Sequence, residues 1–135
     1  MMICYYPAET GFNLVMDLTN PSPAIGWNNE ERMGFKGRPL PDIVMALALI
    51  HHLAISNNLP FVKIAGFLAD LSENLIIEFV PKSDSQVKIL FESRKDIFGV
   101  YDEDNFIREF EVFYNISAKE KVDGSERTIY WMKRR

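Results

Sequence analysis

Short apolar runs alternate along the chain with segments whose apolar residues recur at helical spacing. Asn13-Leu14-Val15-Met16-Asp17-Leu18 is a brief apolar run ending in an acid and predicts a strand. Thr19 to Gly26 carries Pro21, Pro23 and Gly26, which predicts a loop. Glu30 to Phe35 predicts a short helix ending near Gly34 or Gly37. Asp42 to Ile50 is continuously apolar after its first residue. Such a run suits a parallel strand covered on both faces or a buried helix, and periodicity leaves both open. Pro60 is placed as the first residue of a helix, with Asn57 or Asn58 near its cap. Phe61, Ile64, Ala65 and Leu68 then form one core face.

Asn74 to Val80 reads as a strand that Pro81 ends. Ser83 and Gln86 form a capping-box pair ahead of Val87, Leu90 and Phe91. A further helix is expected from about Asp102, with Phe106, Phe110 and Phe113 as its stripe. Tyr114 to Glu120 and Arg127 to Met132 predict antiparallel strands joined by a turn at Asp123-Gly124. The resulting alternation of strands and helices implies an α/β sheet, mostly parallel with an antiparallel C-terminal hairpin. Ligands of such sheets bind outside the carboxyl ends of the strands. Three strand ends therefore matter: Asp17 to Asn20, Ala48 to His52, and Glu78 to Lys82.

At 135 residues, with 47% hydrophobic and 25% charged, the chain fits one ordinary domain and excludes a disordered or fibrous protein. A net charge of −4 argues against a broad phosphate-binding surface, so no nucleic acid is expected. Lys133-Arg134-Arg135 is expected to be a solvated tail. Cys4 is the single cysteine, which excludes an internal disulfide and fits a reducing compartment. The start lacks the pattern of a signal peptide, and Ile43 to Ile50 is far short of the roughly 20 residues that cross a bilayer. A soluble, cytoplasmic protein without a membrane partner is expected.

Asp17 can accept hydrogen bonds from a ligand, or cap its own loop. His51-His52 offers a general base near neutral pH. Neighbouring rings point apart, so no shared metal is expected; one histidine should pack and the other line the cleft. Glu78 interrupts an apolar strand and needs a partner, Lys82 or Lys88, or a cleft to face. No nucleophile elbow or phosphate-cradling loop occurs, and the seven glycines are all isolated, so Gly-x-Gly-x-x-Gly is absent.

Asp17-Leu18-Thr19-Asn20-Pro21-Ser22-Pro23-Ala24-Ile25-Gly26-Trp27, then Glu31-Arg32, the segment Asp42 to Leu53 with its His51-His52 end, Ile77-Glu78-Phe79-Val80-Pro81-Lys82-Ser83-Asp84-Ser85-Gln86-Val87 and the terminal Ser125-Glu126-Arg127-Thr128 together resemble class I S-adenosylmethionine-dependent methyltransferases. The likeness is to the C-terminal half, in a bacterial nodulation-protein-related branch, and covers residues 13 to 135. Asn20-Pro21-Ser22-Pro23 is also similar to the Asn-Pro-Pro-aromatic signature of amino-group methyltransferases, but Pro23 replaces the aromatic and the strand differs. The resemblance implies a truncated Rossmann-like sheet holding the third to seventh strands of seven, with S-adenosylmethionine as cofactor and a small-molecule methyl acceptor. It places Asp17 and Leu18 at the adenine, Ala48 to His52, including Ile50, along the methionine part, and Glu78 at the substrate mouth. It implies His51 or His52 as catalytic base. The first strand with its glycine-rich turn and the second with its ribose-binding acid are missing, and residues 1 to 12 match nothing. A homodimer, or a partner supplying the missing half, is implied. The segment Asp42 to Ala48 is expected to pair with Asn13 to Asp17 or with another chain.

Overall fold

The computed structural model describes residues 2–4, 14–92 and 99–135. The unmatched start falls mostly outside them. Strands β1 (Met2–Cys4) and β2 (Leu14–Met16) form a small antiparallel ribbon, with Ile3 opposite Val15. A four-stranded sheet follows, built from β3 (Ile43–Ala46), β4 (Asn74–Phe79), β5 (Tyr114–Lys121) and β6 (Thr128–Arg134). Its order is β3-β4-β6-β5. Only β3 and β4 are parallel; β6 runs antiparallel to both its neighbours. The sheet is therefore α/β and mixed, and the mostly parallel expectation is corrected. The last strand turns back and inserts beside β4, which makes two of the three pairs antiparallel. β2 pairs with β1 and not with β3, so the expected pairing of Asn13 to Asp17 with Asp42 to Ala48 is also corrected, although β1 lies near β3.

The helical patterns hold closely. α1 (Phe61–Leu71) follows Pro60, whose fixed φ of −60° and extended ψ put it at the cap, one residue before the position expected of it. Phe61, Ile64, Ala65 and Leu68 are all buried. α2 (Ser85–Glu92) is capped by Asp84, which accepts from the Gln86 N–H at 2.9 Å. The Ser83 hydroxyl instead donates to Glu126, so the capping-box reading is replaced. α3 (Glu103–Phe110) has Asp102 as its cap, accepting from the Asn105 N–H at 2.7 Å. Glu103 and Asp104 in its first turn and Arg108 in its last suit the helix dipole.

Phe106 sits at the centre of the core, between α1, α3 and one sheet face. Its ring lies 4.4 Å from Phe110, 5.1 Å from Phe79, 5.3 Å from Tyr130 and 5.6 Å from Phe61. Gly66 lets Phe113 close against α1, since a Cβ there would lie 3.2 Å from that ring. The β5–β6 connection turns at Val122–Ser125, with Gly124 supplying a φ of 70°.

Two expectations fail outside the regular elements. Glu30 to Phe35 is not a helix: Ile25 and Arg32 pair as an isolated bridge around a turn at Trp27–Asn29, and a second turn covers Phe35–Gly37. Phe35, buried in the core, anchors this loop. The terminal basic residues are not a free tail. Arg134 donates to the Ala69 carbonyl at 2.9 Å, and the Arg135 N–H to the Phe113 carbonyl at 3.0 Å.

Candidate functional site

Because β3 and β4 are parallel, their carboxyl ends share one edge of the sheet. β3 stops at Ala46, and two residues later Ala48 adopts a φ of 50°. A left-handed alanine costs on the order of 1 kcal/mol, so something must hold it. Its N–H donates to Glu78 Oε2 at 2.6 Å. The other Glu78 oxygen lies 3.4 Å from an Arg127 guanidinium nitrogen. Arg127 also grips Asp84 with two N–H groups, at 2.7 and 3.1 Å, a bidentate pairing. The hydrogen bonds from Arg127 hold the Asp84 carboxyl below its usual range, and the same bonds raise the Arg127 guanidinium. Glu78, Arg127 and Asp84 thus tie two strand ends, the start of α2 and the closing hairpin into one shoulder.

The chain next turns helical, through a wide π turn over His52–Ser56 closed by the Asn57 N–H on the His52 carbonyl at 3.1 Å. Wide turns of this kind are frequent at functional sites. The rings of His51 and His52 lie 4.2 Å apart. His51 is 2% exposed and its Nδ1 has no hydrogen-bond partner. Burial first, then His52 and Arg127, pull its pKa down to about 4, so it is neutral at neutral pH. His52 is exposed, which matches the expected division between a packed ring and an open one.

Asp17 follows β2 in an exposed loop, where its carboxylate accepts from the Thr19 N–H at 2.9 Å and hydroxyl at 2.7 Å. The hydroxyl and then the amide of Thr19 lower its pKa. The capping reading of Asp17 therefore describes this structure. Leu18 is half-buried against the core. A cavity of about 270 Å³ joins Leu18 and Thr19 to Leu53 and Asn57 of the histidine turn and to Lys63 and Phe67 of α1. A second cavity, of about 390 Å³, sets Ala54 and Asn58 of the same turn against Tyr101 and Arg108. The histidine turn therefore contributes to both.

Of the expected site residues, Ala48 and Glu78 are in direct contact, and the rings of His51 and His52, in the turn that follows, meet at a tilt of 39°. The Ile50 side chain is buried in the core, leaving only its backbone for a ligand. Leu18 lines the smaller cavity with Leu53 and Asn57 of the histidine turn, while Asp17, Ala48, Glu78 and the two histidines are not among its lining residues. The ion pair of Glu78 is with Arg127, neither of the lysines expected for it. Arg127 and Asp84 lie in segments that carry the resemblance, but their pairing gave no signal, because Arg127 is 49 positions from Glu78 and 43 from Asp84. Among the described residues no group of His, Cys, Asp and Glu could hold a metal ion, and no helix is long and apolar enough to cross a membrane.

Over 121 residues the chain is 40% identical to the nodulation protein NoeA of Rhizobium meliloti (strain 1021). The match covers 90% of this chain and 25% of that protein, so the chain spans about a quarter of the relative's length. No protein-family model matches the chain, and no solved structure matches it.

Proposed function

We propose that the chain is a methyltransferase-family protein representing the back half of a class I, Rossmann-like domain, and that the cavity between the loop after β2 and the histidine turn takes the adenosyl end of S-adenosylmethionine. The cavity of about 270 Å³ carries this reading. It sets the loop after β2 against the turn after β3, next to the segments that the resemblance gives to the cofactor. The parallel β3–β4 pair closed by an antiparallel hairpin agrees with it, as does a β2 that stands apart from β3. The match to a quarter of a longer protein agrees with a partial domain.

The residues fit part of the cofactor. The cavity lies just below the roughly 300–1,000 Å³ of whole-ligand pockets, which leaves room for a ring and not for the complete molecule. No Gly-x-Gly-x-x-Gly is present for the amino-acid end. When bound, the cofactor supplies an electrophilic methyl group. Leu18 and Leu53, which line the cavity, would hold the adenine ring, and Asp17 would accept from its amino group on releasing Thr19. Ala48, fixed by Glu78, sets the angle at which the histidine turn leaves the strand. His52, the exposed ring, takes the acceptor's proton, while His51 supports it from below. Glu78 serves this site by holding backbone, and Arg127 keeps it there. Proximity and orientation supply most of the rate in such a transfer. Further polypeptide, of the same protein, a second copy or a partner, contributes the strands of such a domain that these 135 residues do not hold.

A second reading, a non-catalytic remnant that serves as a dimeric interaction module, is favoured by the half-exposed apolar side chains of Ile43 and Met45 on β3. Calorimetric titration with S-adenosylmethionine and S-adenosylhomocysteine separates the two. Saturable binding that Asp17→Ala weakens several-fold supports the first. Absence of heat up to millimolar ligand overturns it in favour of the second.

A further inference from the structure

The larger of the two cavities beside the histidine turn has no part in the methyl-transfer reading. At about 390 Å³ it falls within the roughly 300–1,000 Å³ of small-molecule pockets. One wall is apolar, built from Leu59, Pro60 and Phe61 at the start of α1 and from Val100 ahead of α3. Val100 is 69% exposed, so this wall lies open at its edge. Two charged side chains of α3, Arg108 and Glu109, face it across the cavity.

Arg108 is aligned from its own helix. The buried Asn105 side chain donates to the Val100 carbonyl at 2.7 Å, and its amide oxygen accepts from the Arg108 guanidinium. That contact fixes one edge of the guanidinium and leaves its other N–H groups for a ligand. Glu109 lies 3.6 Å from Arg108 Nε, too far for a hydrogen bond. Among the described residues it has no other polar partner, although its side chain is only 29% exposed. A sheltered carboxylate that accepts no hydrogen bond is poorly satisfied and calls for a donor.

The two charges select a ligand by cancellation. A lone anion is drawn to Arg108 and repelled by Glu109, and a lone cation meets the reverse. A molecule that bears an ammonium and a carboxylate on one carbon answers both, and its side chain then lies on the apolar wall. We infer that this cavity binds a free α-amino acid with a large apolar or aromatic side chain. Its carboxylate sits on Arg108, its ammonium on Glu109, and its side chain against Leu59, Phe61 and Val100. The site needs no cofactor and stands apart from the methyl-transfer reading.

The test titrates the chain with L-phenylalanine, read by calorimetry and by the amide spectrum. Saturable binding in the millimolar range is expected, with shifts at Asn58, Val100, Tyr101 and Arg108. Phenethylamine, which lacks the carboxylate, and hydrocinnamate, which lacks the ammonium, are each expected to bind at least about tenfold more weakly. Glycine, which has no side chain for the apolar wall, is expected to lose about as much. Arg108→Gln and Glu109→Gln leave the core untouched, so the thermal midpoint should hold while each weakens phenylalanine at least about fivefold. Equal binding of the amine or the acid overturns the inference. So does phenylalanine binding that neither substitution changes, or the absence of saturation.

Discussion

The aromatic core and the strand-end shoulder sit at opposite extremes of local economy. Around Phe106 two of the three buried tyrosine hydroxyls are satisfied, that of Tyr101 donating to the Val80 carbonyl at 2.7 Å and that of Tyr130 to Glu103 at 2.5 Å, while that of Tyr114 has no partner. Burial pushes the pKa of Tyr101 and Tyr130 up, so they stay protonated. At the shoulder, a left-handed alanine, a buried histidine nitrogen without a partner and three charged side chains share one small region. Folds tolerate such features where the rest of the structure over-determines them, and they gather where ligands bind. The core works as scaffold; the shoulder is held in place by it.

The sharpest way to break that contrast is to remove the scaffold. Phe106→Ala is expected to cost about 3–5 kcal/mol by chemical denaturation, the usual loss for a large ring in a packed core. A cost under about 1 kcal/mol would show that the core is not centred there. Arg127→Ala comes next, at about 2–3 kcal/mol, because it leaves the carboxylates of Glu78 and Asp84 largely buried without their cation. Arg127→Lys should recover part of this through charge alone, without the bidentate grip. A loss as small as that of an ordinary surface pair would mean the shoulder does not depend on it.

His51 makes the shoulder sensitive to acid. Its folded pKa of about 4 lies below the unfolded value of 6.5, so the unfolded chain binds the extra proton first. Stability is full above pH 6.5 and falls as the pH drops from there towards 4. The loss attributable to His51 is about 2 kcal/mol between pH 7.5 and pH 4.5. His51→Phe keeps a buried ring at that position and should remove that portion, leaving the acid loss due to Asp84, whose lowered pKa acts in a more acidic window. Thermal midpoints across this range check it, and an unchanged slope in the variant contradicts it. Ala48→Gly is the smallest effect expected, a gain of about 0.5–1 kcal/mol from relief of the left-handed backbone.

Local pattern made much of the scaffold legible. Pro60 and the stripe of α1, the Asp102 cap of α3 and the Gly124 hairpin each announce themselves within a few residues. The apolar run from Ile43 could not be divided that way. It becomes strand and then turn because Glu78, 30 positions away, captures the Ala48 N–H. The segment Glu30 to Phe35 reads as helical in the local pattern and is not, because the pairing of Ile25 with Arg32 and the burial of Phe35 outweigh weak local propensity. The histidine pair was visible as chemistry. Its dependence on Arg127 was not, since only the folded hairpin brings that guanidinium back to β4.

The most direct measurement is the amide spectrum of isotope-labelled protein titrated with S-adenosylhomocysteine. The expected result is progressive shifts confined to Leu18, Thr19 and the turn from Ala48 to Asn57, with Phe106, Tyr114 and Tyr130 unmoved. Shifts spread evenly over both regions, or none at millimolar ligand, would contradict the assignment of the cavity beside the histidine turn as the binding site.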